Sequence, residues 1–266
     1  MIVELLDTDP LADTLPLPIG PITGPLLLGH DEHGQGVTAH DPLPHLIAAG
    51  STGSGKSSFA YSMLAQVSDR LKAGEPARVS GIDPSSVLLR PFPGAVLGLS
   101  DPGRIERKLA ELVAELDRRL TAIPHDRDTL PVSPTHPWHL IVLEEWPAVL
   151  KAADGFDKKL GTAVRAHVSR LLAESRKVRM SVFMLVQRPE SALIGGFERA
   201  QLGLRVSFRI DAEGVKLLHP EADPTIAAEH TTAAPGVALL STSGTPAQRI
   251  RAPFLSYGEY VERVAA

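Results

Sequence analysis

The chain has 266 residues, of which 43% are hydrophobic, and a formal net charge of −4, so any contact with nucleic acid would need a local basic patch. The absence of cysteine excludes disulfides and thiolate metal sites. The sequence contains no apolar run of the roughly 18–20 residues that span a bilayer, and its N-terminus is acidic and broken by proline, unlike a signal peptide, so we expect a cytoplasmic protein.

The order of predicted elements indicates an α/β protein. Residues 1–44 are predicted to form a β-rich extension with a hairpin around the glycine-rich turn at 34–36. The main domain is predicted over 45–266 and opens with a buried strand and a helix at 57–68. Further strands are predicted at 78–83, 95–100, 139–143, 181–186, 204–210 and 237–241, with helices after Asp101 and across 157–178. Strands that alternate with helices predict a mostly parallel sheet, and we expect the long proline-rich loop 121–138 to be mobile.

Residues 50–57 match the phosphate-loop pattern G-x-x-x-x-G-K-[ST] in full, between a predicted buried strand and an amphipathic helix. Glycines let the backbone N–H groups approach a polyphosphate, toward which the helix directs its positive end. We expect Lys56 to reach the β- and γ-phosphates of ATP and the Ser57 hydroxyl to bind Mg²⁺. A simple Gly/Ser-rich turn is the alternative. The predicted nucleotide-binding residues are Gly50, Ser51, Thr52, Gly53, Ser54, Gly55, Lys56, Ser57 and Ser58.

Two neighbouring carboxylates, Glu144 and Glu145, end the apolar strand at 139–143. We assign Glu144 to the Mg²⁺ shell and Glu145 as the general base. Most P-loop ATPases have aspartate at the first of these positions, so either the site is built around the longer side chain or hydrolysis is slow. Ordinary surface charges at a strand end are the alternative.

Three sequence blocks, at 44–64, 139–150 and 176–211, resemble those of the FtsK/SpoIIIE family of DNA-pumping ATPases. They contain the phosphate loop, the acidic strand end, and a Gln-Arg-Pro turn between two strands. The resemblance implies a RecA-like P-loop NTPase that forms a hexameric ring around double-stranded DNA. The sequence departs from the family pattern at Glu144, Val186 and Ser85, which stand in place of Asp, Thr and Lys. The chain ends soon after its last strand, so we expect no winged-helix module or membrane anchor, as in compact motors of plasmid transfer.

Several polar residues are second-tier candidates. The resemblance implies that Gln187 senses the γ-phosphate or orients the attacking water, and a turn-capping amide is the alternative. Arg205 and Arg209 are predicted on one face of a strand, where one could complete a neighbouring subunit's site. Arg205 is the favoured candidate, Arg179 is a rival, and a solvated sheet face is the alternative. Asp83, at the end of a strand, is a possible site residue.

A basic helical stretch at 165–179 presents Arg165, Ser169 and Arg176 on one face. This face could contact DNA phosphates or a neighbouring subunit, and an ordinary solvated helix face is the alternative. Arg188 and Arg199 are further candidates for DNA contact.

These observations favour an ATP-dependent double-stranded DNA translocase that acts in DNA transfer or segregation. The expected partners are double-stranded DNA, other copies of the chain in a homo-hexamer, and a membrane-associated protein. Two alternatives stay open: a ring ATPase that drives protein secretion, and a non-catalytic nucleotide-binding assembly module. A small-molecule kinase is a distant third, because no acceptor-binding block is visible.

Overall fold

The computed structural model describes residues 9–18, 20, 22, 24–39, 43–191 and 194–265. Its strands are β1 (Leu15–Pro16), β2 (Leu26–Asp31), β3 (Gly36–Ala39), β4 (Leu46–Ala49), β5 (Ala77–Asp83), β6 (Val96–Leu97), β7 (Trp138–Leu143), β8 (Met180–Val186), β9 (Leu204–Ser207), β10 (Val237–Thr242), β11 (Gln248–Arg251) and β12 (Pro253–Phe254). Its α-helices are α1 (Lys56–Lys72), α2 (Pro102–Thr121), α3 (Trp146–Phe156), α4 (Lys158–Glu174), α5 (Gly196–Gln201), α6 (Ala212–Leu218), α7 (Pro224–His230) and α8 (Tyr257–Ala265). A 3₁₀ helix, Ser175–Val178, follows α4.

A ten-stranded sheet organises the described chain, in the order β3-β2-β11-β10-β9-β4-β8-β7-β5-β6. The pairings from β9 across to β6 are parallel, and those from β3 across to β9 are antiparallel. Strand β4, which leads into the phosphate loop, lies between β8 and β9. The central part of the sheet is therefore parallel, as the alternation of strands and helices predicted.

Apolar side chains cover both faces of the sheet, because residues along a strand alternate between faces. Leu46 and Ala48 of β4 belong to a core with α1 and α8, whereas Ile47 and Ala49 belong to a second core with α2, α3 and α4. All four β4 residues are buried. This burial on both faces is typical of a central parallel strand, and it fixes the start of the phosphate loop.

The predicted N-terminal hairpin is confirmed: β2 and β3 pair antiparallel across the turn at 32–35. The hairpin also joins the main sheet, because Asp31 and His30 of β2 pair with Ile250 and Arg251 of β11. The division at residue 44 stays a prediction, and residues 1–8 and 40–42 lie outside the described residues. In the structure the hairpin extends the main sheet by two strands.

Several predicted boundaries differ from the structure. The strand predicted at 204–210 ends at Ser207, the one at 95–100 is reduced to Val96–Leu97, and the helix predicted across 157–178 changes to a 3₁₀ turn at Ser175. The loop 121–138 is attached at its middle, where buried Leu130 donates its N–H to the Lys177 carbonyl at 2.8 Å. In the part of the chain that the structure describes, no helix combines the length and the apolar character that crossing a membrane requires.

Candidate active site

The phosphate loop is anchored to the ends of the two strands that flank β4. Gly50 donates its N–H to the carbonyl of Val186 at 3.2 Å, at the end of β8. Ser51 donates its N–H at 3.0 Å and its hydroxyl at 2.9 Å to the carbonyl of Arg209, just beyond β9. These bonds fix the first turn of the loop against the ends of β8 and β9.

Two glycines of the loop stand where a side chain would not fit. Gly55, which caps α1, has φ +109°, and a Cβ there would lie 2.8 Å from the backbone nitrogen of Gly236. A Cβ on Gly50 would lie 2.5 Å from the Ser54 hydroxyl oxygen. The Gly236 N–H donates to the Ser54 carbonyl at 2.9 Å, so the loop is braced against the turn before β10. The glycine spacing therefore follows from tight backbone packing as well as from ligand approach.

Lys56 and Glu145 form an ion pair with 2.5 Å between Nζ and Oε1. Glu145 has φ +44° and ψ +52°, a left-handed conformation that residues other than Gly and Asn adopt rarely. It occupies the N-cap position of α3, but its side chain makes no capping hydrogen bond. Backbone strain of this kind is typical of functional positions. The turn directs the Glu145 side chain toward the phosphate loop rather than toward the N–H groups of its own helix.

Glu144 is half-buried beside this pair, and its Oε2 is buried with no hydrogen-bond partner among the described residues. Burial raises the pKa of Glu144 to about 7, and the charges of Glu145 and Asp83 add to the effect while Lys56 opposes it. A bound divalent cation would reverse this balance, because it stabilises the ionised carboxylate. The orphaned oxygen is the observation that fits a metal at this position.

A single cleft of about 660 Å³ brings most of the predicted site residues together, although Ser54 and Arg205 do not line it. Its lining includes most of the phosphate loop, both carboxylates and the exposed side chain of Gln187. The opposite side of the cleft is formed by residues around β1, β12 and the start of β10. The volume lies within the range of small-molecule and cofactor sites in general.

Three of the predicted site residues make hydrogen bonds that support the fold around the cleft. The Ser58 hydroxyl donates to the Leu255 carbonyl at 2.9 Å and accepts the Leu255 N–H at 2.8 Å, so it attaches α1 to the chain after β12. Ser54 contributes its carbonyl to Gly236, and its own hydroxyl is buried outside the cleft lining. Asp83 is fully buried and accepts hydrogen bonds from the Ser85 hydroxyl and the Ser86 and Leu89 N–H groups. Asp83 therefore shapes the turn after β5 and reaches the site only through its charge.

The favoured arginine, Arg205, is occupied within its own chain. Its guanidinium donates to the carbonyls of Leu202 at 3.1 Å, Leu218 at 3.0 Å and Arg199 at 2.9 Å. Arg209 is not on the strand as predicted: it lies beyond the end of β9, half-exposed, and within the described chain its guanidinium has no hydrogen bond or ion pair. The rival Arg179 stands at the amino end of β8, opposite the cleft, and donates Nε to the Leu130 carbonyl at 3.0 Å.

The predicted basic face is largely neutralised by acids of the same chain. Arg165 forms a two-bond ion pair with Asp154, and Ser169 donates to Glu198 at 2.9 Å. Arg188 pairs with Asp211 at 2.8 Å and with Glu213 at 3.3 Å. Arg176 is exposed on the 3₁₀ helix. The backbone carbonyl of Arg199 accepts a hydrogen bond from the Arg205 guanidinium. These contacts favour the ordinary solvated face over a dedicated basic patch.

Sequence reasoning missed a second group of residues that line the cleft. Thr14, Arg251 and Phe254 lie far from the phosphate loop in the sequence and carry no motif. Ser85 also lines it, beside the orphaned Glu144. Only the sheet order, which puts β11 and β12 near the start of α1, could have revealed them.

The FtsK/SpoIIIE family model matches residues 21–129 of the chain. The chain is 28% identical over 204 residues to DNA translocase FtsK of Mycobacterium leprae (strain TN), which covers 68% of this chain and 24% of that protein. It is 24% identical over 207 residues to DNA translocase SpoIIIE of Bacillus subtilis (strain 168), which covers 70% of this chain and 25% of that protein. The chain thus spans about a quarter of the length of these curated relatives.

Two solved structures have a similar fold. The pCW3 conjugation coupling protein TcpA, in monomer form with ATPgS, has a TM-score of 0.72 at 20% identity, covering 94% of this chain and 73% of that one. The cytoplasmic domain of the Thermomonospora curvata type VII secretion ATPase EccC has a TM-score of 0.71 at 17% identity, covering 98% of this chain and 33% of that one. The predicted fold class, a P-loop NTPase with a mostly parallel central sheet, is confirmed. Motifs, curated relatives and fold agree in their likeness to the FtsK/SpoIIIE family, whose model matches residues 21–129.

Proposed function

We propose that the chain is an ATP-driven translocase of double-stranded DNA, which works as a homo-hexameric ring in DNA transfer or segregation. One observation carries the catalytic part: the phosphate loop, two adjacent carboxylates and Gln187 converge on one cleft. The DNA substrate is supported by the likeness to FtsK and SpoIIIE, which are named DNA translocases. The likeness to the conjugation coupling protein TcpA supports a role in DNA transfer.

The residues present fit ATP with Mg²⁺. The backbone of the phosphate loop and Lys56 would hold the phosphates, while the Ser57 hydroxyl and Glu144 would hold the metal. Mg²⁺, when bound, would neutralise negative charge on the phosphates. Glu144 is suited to this place because its buried oxygen lacks a partner and its ionised form is the one that a cation stabilises.

The Lys56–Glu145 ion pair suggests how binding prepares the base. In the pair, each charge compensates the other. Phosphate oxygens compete for the Lys56 ammonium, and the Glu145 carboxylate is then free to accept a proton from water. The Gln187 side chain lies in the same cleft and would orient that water. A neighbour's arginine would complete the site, so we expect turnover to depend on assembly.

ATP hydrolysis with and without linear duplex DNA tests this proposal. We expect duplex DNA to stimulate the wild-type ATPase, and salt to remove the stimulation because phosphate contacts release counterions. Lys56→Ala should lose ATP binding, whereas Glu145→Gln should bind ATP and lose turnover by about 100-fold or more. Full turnover in Glu145→Gln would contradict the role given to this carboxylate.

Two other functions make different predictions. A ring ATPase of protein secretion, supported by the fold likeness to EccC, would hydrolyse ATP without response to duplex DNA. A non-catalytic module would bind ATP but not turn it over, even with DNA and at high protein concentration. The second is motivated by Glu144, whose extra methylene changes the reach of the metal-binding carboxylate.

A further inference from the structure

The side of the cleft opposite the phosphate loop is built from the two ends of the described chain. We call residues 11–17 the strap; within it, Thr14 and Leu15 line the cleft. Next to the strap, Phe254 of β12 and the Pro235–Gly236 turn also line it. This wall is separated from the phosphate loop by tens to hundreds of residues in sequence but belongs to the same cavity.

The strap is fixed in place by β12 and Arg251. β1 pairs in parallel with β12, with Leu15 opposite Pro253 and Pro16 opposite Phe254. The Leu17 N–H continues this pairing by donating to the Phe254 carbonyl at 3.2 Å. These bonds orient the wall as part of the folded chain, so it does not depend on a ligand for its position.

Arg251 connects the strap to the phosphate loop. Its side chain is 5% exposed, and it donates to the Pro235 carbonyl at 2.6 Å and to the carbonyls of Ala12, at 2.8 Å, and Leu11. The adjacent Gly236 N–H bonds the Ser54 carbonyl of the loop. The distance between wall and loop is thus set by a continuous chain of hydrogen bonds.

Phe254 leaves half of its surface uncovered (50% exposed) although it lines a cavity. An aromatic ring in this position offers a planar apolar face that a nucleobase can stack on. Of the wall's described side chains only Thr14 and Arg251 are polar; both terminal guanidinium nitrogens of Arg251 donate to carbonyls, and its Nε is buried, where a ligand in the cleft does not reach it. The wall therefore has little side-chain chemistry with which to read the edge of a base.

We propose that the strap and Phe254 form the nucleobase subsite of the cleft, and that this subsite holds the base by stacking and apolar contact without selecting among purines. The inference rests on the proposed function, because it requires the phosphates of the same nucleotide to occupy the loop. Discrimination between similar ligands requires hydrogen-bonding groups that the wrong ligand leaves unpaired, and this wall provides few.

Calorimetric titration of the full chain with Mg²⁺ and either ATP, GTP or inorganic tripolyphosphate tests the inference. We expect the wild type to bind ATP and GTP with dissociation constants within about fivefold of each other. Phe254→Ala should weaken both by roughly tenfold, the usual effect of losing a stacked aromatic, and should leave tripolyphosphate binding unchanged. The ATP and GTP affinities of Phe254→Leu should lie between those of the wild type and those of Phe254→Ala. Phe197→Ala, which removes an aromatic ring that is 53% exposed outside the cleft, is the matched control and should change nothing.

The outcomes separate the two proposals. If tripolyphosphate binds but Phe254→Ala leaves ATP affinity unchanged in a folded protein, the subsite is overturned and the phosphate loop stands. A strong preference for ATP over GTP would overturn the lack of base selection. If neither ATP nor tripolyphosphate binds the wild type, the nucleotide function itself fails. Circular dichroism of each variant identifies any that fail to fold, and Phe254→Leu then decides the result.

Discussion

At the scale of single residues, Glu144 has the clearest electrostatic signature. Burial is the main reason that its pKa rises to about 7, with like charges at Glu145 and Asp83 contributing. Because the pKa is higher in the folded chain than in the unfolded chain, the folded state binds the proton more tightly. Glu144 therefore contributes most to the stability of the folded state at acid pH, and this contribution is lost as the pH rises from about 4.5 through about 7.

We predict that Glu144→Gln stabilises the protein without ligands at pH 8, by about 1–3 kcal/mol, because a neutral amide avoids burying an ionised group. At pH 5, where the folded chain already holds the proton, the gain should largely disappear. Urea unfolding at the two pH values, without Mg²⁺ or nucleotide, measures both effects. The control is Glu221→Gln at an exposed position. An equal gain at both pH values would contradict the raised pKa.

Residue positions were predictable from the sequence where a local pattern specified them. The phosphate loop and the Glu144–Glu145 pair were placed correctly in one cleft, because strand ends bring them to the same edge of the sheet. The hydrogen-bond partners of Ser58 and Arg205 were not predictable, since they are backbone carbonyls elsewhere in the fold. A motif indicates where a side chain lies, but it does not reveal which backbone groups elsewhere in the fold form hydrogen bonds with it.

At the scale of elements, the phosphate loop offers a matched pair of glycines. Gly53 and Gly55 both have positive φ, but a Cβ on Gly53 would meet nothing within 4 Å, whereas a Cβ on Gly55 would contact the Gly236 backbone. We predict that Gly53→Ala costs about 1 kcal/mol of stability from backbone conformation alone. Gly55→Ala should cost about 1–3 kcal/mol more, since the brace between the loop and the turn before β10 must move.

Urea unfolding of the ligand-free variants measures this difference, because bound nucleotide would add its own contacts at Gly53. If both substitutions cost the same, the packing of Gly55 against Gly236 is not what fixes this part of the loop. The wild-type chain and Gly74→Ala, at another positive-φ glycine with open space around it, give the scale for the conformational cost.

Elements with strong periodicity were predicted well, and short or irregular ones were not. Helix α2 begins where the Asp101-Pro102 sequence predicted, with the Asp101 carboxylate accepting the Arg104 N–H at 3.0 Å. Helices α5 to α7 have six or seven residues each, too few to show an amphipathic repeat. Strand β9 ends at Ser207, and the apolar residues after it are buried as part of the loop's support.

At the scale of the whole molecule, we expect different roles for two arginines: Arg205 of β9 stabilises the fold, and Arg209 just after it acts between subunits. Arg205 binds three carbonyls of its own chain, whereas Arg209 is half-exposed beside the phosphate loop. We predict that Arg205→Ala lowers the melting temperature, because it leaves carbonyls unpaired. Arg209→Ala should keep the melting temperature and lower the ATPase by about 10³-fold, if it acts on a neighbour's nucleotide.

Mixing experiments distinguish action in a neighbouring subunit from action in the same one. Glu145→Gln and Arg209→Ala are each expected to be inactive alone and to recover part of the activity when mixed, because some interfaces then combine an intact base with an intact arginine. A normal ATPase in Arg209→Ala would return Arg205 to first place as the arginine acting between subunits.

The overall arrangement of the sheet was only half predictable. The parallel centre follows from alternating strands and helices, but β2 pairs with β11 across more than 200 positions of sequence. Such pairing leaves no local signal, because each strand shows only its own alternation. For the same reason the strap over the cleft, which completes the second wall, was invisible before the structure.

Pro18, Gly20 and helix α8 meet at one corner of the fold. The guanidinium of Arg263, near the end of α8, donates to the carbonyls of Pro18 at 2.8 Å and Gly20 at 2.6 Å and pairs with Asp69 of α1. These contacts hold the N-terminal segment against α1 and α8 without help from the β2–β3 turn. A single proteolytic cut in that exposed turn should therefore be tolerated and leave the cleft of the phosphate loop intact.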